Sequence, residues 1–249
     1  MANGRNEDNM IFGAILAGGI GSRMGNVEKP KQFLFLGKKP IIIHTIEKFY
    51  INHDFEEIIV LSPKKWISYT EDIINEYIHD ADNVSVIEGG KLRNDTIMNA
   101  INYIEEKYSL EGNSASDDSI LVTHDSVRPF VTHRIIEENI KYAKEYGACD
   151  TVIPATDTIV ESNNNKTITA IPNRDFMYQG QTPQSFKIAK LKNLYNSLSE
   201  NEKEILTDAA KIFVIKNEDV YLVDGEVTNI KITYTYDLKV ADSILKENL

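Results

Sequence analysis

Apolar residues arrive along this chain in short unbroken runs, separated by stretches in which they recur every three or four positions. MIFGAILA, the first run, is continuous and bounded by glycine, so it predicts a buried parallel strand rather than a half-exposed one. Strand-like runs follow at EEIIVLS, NVSVIEG, SILVTHD and ACDTVIPA. Between them IIIHTIEKFY, WISYTEDIINEYI, DTIMNAINYIEEKY and RIIEENIKYAKEYG carry helical spacing. Strands and helices alternating at this length imply right-handed crossovers and an α/β architecture with a mainly parallel sheet. The rhythm changes after Pro154. TDTIVES, the polar turn NNNK and TITAIPN predict two antiparallel strands in a hairpin, an arm over residues 154–177, with a surface excursion of no role as the plain alternative. Helical segments near Ile188 to Leu198 and Glu202 to Phe213, a strand at VYLVDG and a closing helix from Tyr236 to Leu245 complete the pattern.

Composition narrows the function classes. A chain of 249 residues suits one α/β domain, expected over residues 10–249. The first nine residues, MANGRNEDN, are expected to form a disordered polar tail and lack the pattern of a cleavable leader. The apolar run from Met10 to Ala17 is too short to cross a bilayer, so no membrane insertion and a cytoplasmic location are expected. A net charge of −11 argues against nucleic acid as a partner, because duplex binding needs clustered cations. The single cysteine, Cys149, permits no internal disulfide.

Candidate chemistry begins directly after the first strand, in LAGGIGSRMGNVEKPKQF. Gly18, Gly19 and Gly21 let the backbone approach a phosphate and aim N–H groups at it. A nicotinamide fingerprint would open a helix here. This loop instead carries Arg23 and Lys31 and runs through Pro30, which keeps it extended and favours a nucleoside triphosphate. Both cations suit an attack on an α-phosphorus, where charge builds on the equatorial oxygens and on departing pyrophosphate. Two solvated charges beside a tight turn remain the alternative. Further on, EGGKLRNDTIMNA sets Gly89 and Gly90 at a strand end, with Arg93, Asn94 and Thr96 at the next helix start; small residues there would let a base lie against the backbone. Asn94 or Asp95 would otherwise merely cap that helix. In HDSVRPF, Asp125 ends another strand, where a carboxylate suits a hard cation such as Mg²⁺ bridging triphosphate oxygens; a turn residue paired with Arg128 is the alternative. His124 is expected to pack or hydrogen-bond rather than ligate metal.

LAGGxGxRM followed by PKQF resembles the opening of the nucleotide-sugar and cytidylyl transferases. HDSVRP, TPQ and NIK narrow the resemblance to the group holding methylerythritol-phosphate and ribitol-5-phosphate cytidylyltransferases, from about Ile11 to the C-terminus. This implies a Rossmann-like, mainly parallel sheet flanked by helices, with a protruding β-hairpin arm. It also implies Mg²⁺, CTP and a polyol phosphate as ligands, and a homodimer formed through the arm. By the same resemblance Leu16, Ala17, Gly18, Gly19, Gly21, Gly90, Arg93, Thr96 and Ser126 would bind nucleotide, and Arg23, Lys31 and Lys231 would be catalytic. Asp125 would hold metal. Arg128, Thr158, Arg174, Thr182 and Thr207 would bind the acceptor, with Thr158 and Arg174 reaching the neighbouring subunit. Lys231, between Ile230 and Ile232, reads without the resemblance as an alternating strand position that is simply solvated. Thr228 stands where methylerythritol-type enzymes carry an aspartate, which leaves more for Asp125 to do, or a part for Asp224. The LAGG opening, an extra residue before Pro30-Lys31, and QGQTPQSF resemble the ribitol-phosphate enzymes more closely, with methylerythritol phosphate as the alternative acceptor and a non-catalytic regulator as a third reading.

Overall fold

The computed structural model describes residues 10–19, 29–108 and 118–247. The first run forms β1 (Ile11–Leu16), all six residues buried, because apolar layers cover both its faces. Ile11 and Ile15 pack into one core, while Phe12, Ala14 and Leu16 enter the other. A short hairpin, β2 (Phe35–Leu36) and β3 (Lys39–Pro40), leads into α1 (Ile41–Tyr50). Then come β4 (Glu57–Ser62), α2 (Ile67–Tyr77), β5 (Val84–Glu88), α3 (Arg93–Tyr108), β6 (Ile120–Asp125), α4 (His133–Tyr146) and β7 (Ala148–Pro154). The chain returns through β8 (Tyr178–Lys187) to α5 (Ile188–Asn196), α6 (Glu200–Glu204), α7 (Ala210–Ile215), β9 (Tyr221–Asp224) and α8 (Thr235–Glu247).

Seven strands make one sheet in the order β5-β4-β1-β6-β8-β7-β9. β5, β4, β1 and β6 pair in parallel, as do β7 and β9, whereas β8 lies antiparallel between β6 and β7. The expected α/β fold with a mainly parallel sheet is therefore present. The pattern did not announce β8, because QGQTPQSF has too few apolar positions to read as a strand, yet six of its ten residues are buried.

Three other expectations need correction. The arm is not a pair of regular strands: strand pairing within residues 156–177 is a single bridge, Glu161 to Ala170, because most of the segment is exposed and lacks a core face to fix its register. The expected helix from Glu202 to Phe213 is two short ones, broken over residues 205–209, with Asp208 accepting from the Lys211 amide at 3.0 Å to start α7. Lys231 lies in a loop, not on a strand. Ile232 is fully buried with Leu36, Ile41, Val127 and Ala241, which anchors that loop against β2 and α8.

Candidate active site

Chain order along the sheet runs from β1 through β4 to β5 on one side and jumps to β6 on the other, so a crevice opens at the C-terminal ends of β1 and β6. Leu16 and Asp125 are register partners there, and the Ser126 amide donates to the Leu16 carbonyl at 3.1 Å. A cleft of about 340 Å³ occupies this point. Leu16, Gly18, Gly19 and Lys31 line it from the first loop, Gly90, Arg93 and Thr96 from the second, and Asp125, Ser126 and Lys231 from the far side. Ala17 lies just beneath, its carbonyl taken by the Gln32 amide at 2.6 Å. Gly21 and Arg23 fall outside the described residues.

Glycine is required at position 90 by close approach. A β-carbon there would sit 2.6 Å from the Asp95 carbonyl carbon and 2.7 Å from the Thr96 nitrogen. The Gly90 amide instead donates to the Thr96 hydroxyl at 3.0 Å, and that hydroxyl donates to the Leu92 carbonyl at 2.9 Å, so Thr96 shapes the loop as well as lining it.

Asp125 is the centre of charge. Only 4% exposed, its carboxylate is paired with Arg93, with Lys231 at 2.9 Å and with Arg128 at 3.4 Å. Burial alone would raise its pKa, but these three cations outweigh that and hold it well below the usual carboxylate range. The expected pairing with Arg128 is thus present, as one of three. Positive charge exceeds negative here, and Lys31 adds to it, so the cleft suits a polyanion.

The loop carrying Lys231 is bolted to the site at several points. Lys31 Nζ donates to the Ile232 carbonyl at 2.9 Å, the Ile232 amide to the Val127 carbonyl at 2.9 Å, and Arg128 Nη1 to the Asn229 carbonyl at 2.7 Å. Asn229 Nδ2 in turn donates to the Thr182 carbonyl at 2.9 Å. A buried proton chain runs behind Asp125. Its amide donates to the Thr182 hydroxyl at 3.2 Å, and that hydroxyl lies 2.9 Å from His124 Nδ1. His124 Nε2 lies 3.1 Å from the Arg128 carbonyl, which only accepts, so Nε2 carries the proton and Nδ1 receives the Thr182 hydroxyl. Burial lowers the His124 pKa to about 4, so the ring is neutral and structural, as expected.

Of the residues expected at the acceptor site, Arg128 and Thr182 are buried directly behind Asp125. Thr207 is exposed in the break between α6 and α7. Thr158 and Arg174 lie on the exposed arm, where Arg174 Nη1 donates to the Thr156 carbonyl at 2.9 Å. Asp224 does not line the cleft, and its carbonyl accepts from Arg134 at 3.0 Å. Sequence reasoning missed Gln32, Lys91, Leu92 and Val127 in the lining. Lys91 was visible as a cation between Gly90 and Arg93; Gln32 and Val127 sit inside PKQF and HDSVRPF without a chemical signal of their own.

Asp125 is the carboxylate in the cleft lining that could share a Mg²⁺ with substrate phosphates, and both its oxygens pair with cations here. Among the described residues no group of three or more His, Cys, Asp or Glu could hold a metal ion. No described helix is long and apolar enough to cross a membrane.

A family model described as 2-C-methyl-D-erythritol 4-phosphate cytidylyltransferase matches residues 11–247. The enzyme of that name from Francisella tularensis is 26% identical, covers 94% of this chain and 99% of its own, and superposes with a TM-score of 0.75. The 4-diphosphocytidyl-2C-methyl-D-erythritol synthase of Anaerococcus prevotii, 24% identical, covers 96% and 99% with a TM-score of 0.75. The cytidylyltransferase from Thermus thermophilus, also 24% identical, covers 96% and 100% at 0.68, and these two likenesses speak to the fold. With glycines lining the cleft, the cations around Asp125 and a family match over nearly its whole length, the chain belongs to the 2-C-methyl-D-erythritol 4-phosphate cytidylyltransferase family and is a cytidylyltransferase.

Proposed function

We propose that this enzyme transfers CMP from CTP to D-ribitol 5-phosphate, giving CDP-ribitol and pyrophosphate. An oxygen of the acceptor phosphate attacks the α-phosphorus of CTP. The new P–O bond forms as the bond to the β-phosphate oxygen breaks, and the electron pair leaves with pyrophosphate. Lys31 and Lys231 face one cleft from opposite loops, where their charge opposes the negative charge that grows on the α-phosphoryl oxygens and leaving group. Arg23 joins them in this reading. Arg93 and Lys231 exchange part of their pairing with Asp125 for pairing with phosphates when CTP enters. Mg²⁺ held by Asp125 and phosphate oxygens would supply further charge neutralisation. Backbone groups around Gly90 read the cytosine edge, and a purine is too large for that slot.

The observation that carries nucleotidyl transfer is the excess of cations around one carboxylate at the mouth of the glycine loops. The choice of acceptor rests on the LAGG opening, on the extra residue before Pro30-Lys31 and on QGQTPQSF. A second reading, with 2-C-methyl-D-erythritol 4-phosphate as acceptor, is favoured by the family model's description. We further propose that the arm pairs two subunits, because Val160, Ile168, Ile171 and Phe176 leave half or more of their surface exposed along it. Pyrophosphate release with CTP and a panel of ribitol 5-phosphate, methylerythritol 4-phosphate and arabitol phosphate tests the assignment. Ribitol 5-phosphate should give the highest kcat/KM, and ATP should replace CTP poorly. Equal turnover with ATP removes the base reading, and preference for the methyl-bearing acceptor removes the ribitol one.

A further inference from the structure

Three strands of the sheet place a line of polar groups on one face, beside the cleft. Thr123 on β6 registers with Gln184 on β8, and Gln184 registers with Asp150 on β7. Register partners share a face and alternate residues return to it, so Asp125, Gln184 and Asp150 look out on the same side. Leu121, Phe186 and Ala148 confirm that side, since all three pack in the core that also holds Ile97 and Ile101 of α3. Strand spacing and residue rise put the Asp125 and Asp150 backbones about 12 Å apart, diagonally across the sheet.

Gln184 bonds the Asp150 carboxyl, yet hydrogen-bonding capacity along this line is left over. Gln184 is 2% exposed, and its Oε1 has no hydrogen-bond partner among the described residues. Asp150 is only partly exposed, and its Oδ1 is buried and equally unpartnered. Arg93 Nε, which belongs to the side chain paired with Asp125, is a third orphan. Buried polar atoms in folded proteins are almost always bonded, and exceptions collect where a ligand completes them. Two acceptors and one donor call for a ligand whose groups both give and take hydrogen bonds. Hydroxyls do so, and a methyl group does not.

We propose that Asp150 and Gln184, with Arg93 Nε, form the subsite that binds the hydroxyls of the acceptor polyol and disfavours an acceptor presenting a methyl group there. This deepens the acceptor assignment above and rests on it. Burial lifts the Asp150 carboxyl to about 7, with Gln184 opposing the rise and Asp208 adding to it. Protonated or not, it keeps an oxygen able to accept. Asp208 follows Thr207, so the loop expected to meet the acceptor borders the same carboxyl electrostatically. A site built to bond a hydroxyl rejects the analogue that lacks it, because the site's own groups are then left unpaired.

The test compares wild type with Asp150→Asn and Asp150→Leu, measuring pyrophosphate release against CTP, ribitol 5-phosphate and methylerythritol 4-phosphate. Asp150→Asn, nearly isosteric, should raise the KM of the preferred acceptor about 5-fold and leave the KM of CTP within about 2-fold. Asp150→Leu should raise that acceptor KM by about 30-fold or more and shift the ratio of kcat/KM between the two acceptors toward the methyl-bearing one, on the order of 10-fold. If the leucine variant does not fold, the asparagine variant decides. Acceptor KM unmoved in Asp150→Asn, or KM for CTP rising in parallel, overturns the subsite. Wild-type preference for methylerythritol 4-phosphate overturns the ribitol assignment instead, so the two failures are read from different enzymes.

Discussion

Asp125 shows how one side chain is held ready by its neighbours. Three cations keep it ionised, while Thr182 and His124 fix the backbone on either side of it. The neutral ring has a consequence for stability. Its pKa falls from 6.5 to about 4 in the folded protein, so between those values the unfolded chain binds a proton that the native state refuses. Stability is therefore complete above pH 6.5 and is lost progressively as pH falls toward 4, by up to about 3 kcal/mol at roughly 1.4 kcal/mol per unit. His124→Gln should be less stable than wild type at pH 7, and its deficit should shrink as pH falls to 5. Urea unfolding at the two pH values measures this, and a deficit independent of pH would contradict a buried neutral imidazole.

At the scale of elements, function depends on strand ends and the loops that follow them. β1, β5 and β6 each stop where the chain turns into the cleft, and Gly90 makes the second of these turns fit. Gly90→Ala forces the loop away from Asp95 and Thr96. We expect it to weaken CTP binding by about 10-fold or more and to lower thermal stability by about 1–3 kcal/mol, as overpacking does. Calorimetric titration with CTP and a thermal melt read the two effects separately, and unchanged CTP affinity would place the base elsewhere. The strand that most shapes the site is β8, which sets Thr182 behind Asp125 and Gln184 beside Asp150. Its motif was legible as residues, but its role as the antiparallel strand between β6 and β7 was not. A half-polar segment has no period that marks it as buried, and only the strands on either side bury it.

For the whole molecule the exposed arm is the feature that bears on assembly. An extended excursion with one internal bridge and exposed Phe176, Ile168 and Ile171 is marginal alone and would gain by packing against a second copy. If each active site joins one subunit's cleft to the other's arm, Lys31→Ala and Arg174→Ala should each be inactive, and a freely exchanged equal mixture should regain about a quarter of wild-type activity. Half of such dimers are mixed, and each has one site free of both lesions. Sedimentation before and after mixing verifies exchange. A monomer in solution, or no regain after exchange, would return Arg174 to its own subunit.

The alternation of the first strands and helices, and the places of Gly90, Arg93 and Asp125 at strand ends and a helix start, were legible in the sequence alone, because local spacing and residue chemistry carry them. Only the tertiary structure decided what these residues do to one another. The cation cluster about Asp125, the anchoring of Lys231 through Ile232, and the line from Asp125 to Asp150 join segments as far as 201 residues apart in the chain. Such pairings depend on register between strands and on helices packed across them. Asp150 is the clearest instance: in ACDTVIPA it reads as one polar residue within a strand, and only β8 sets Gln184 against it, within reach of the charge of Arg93.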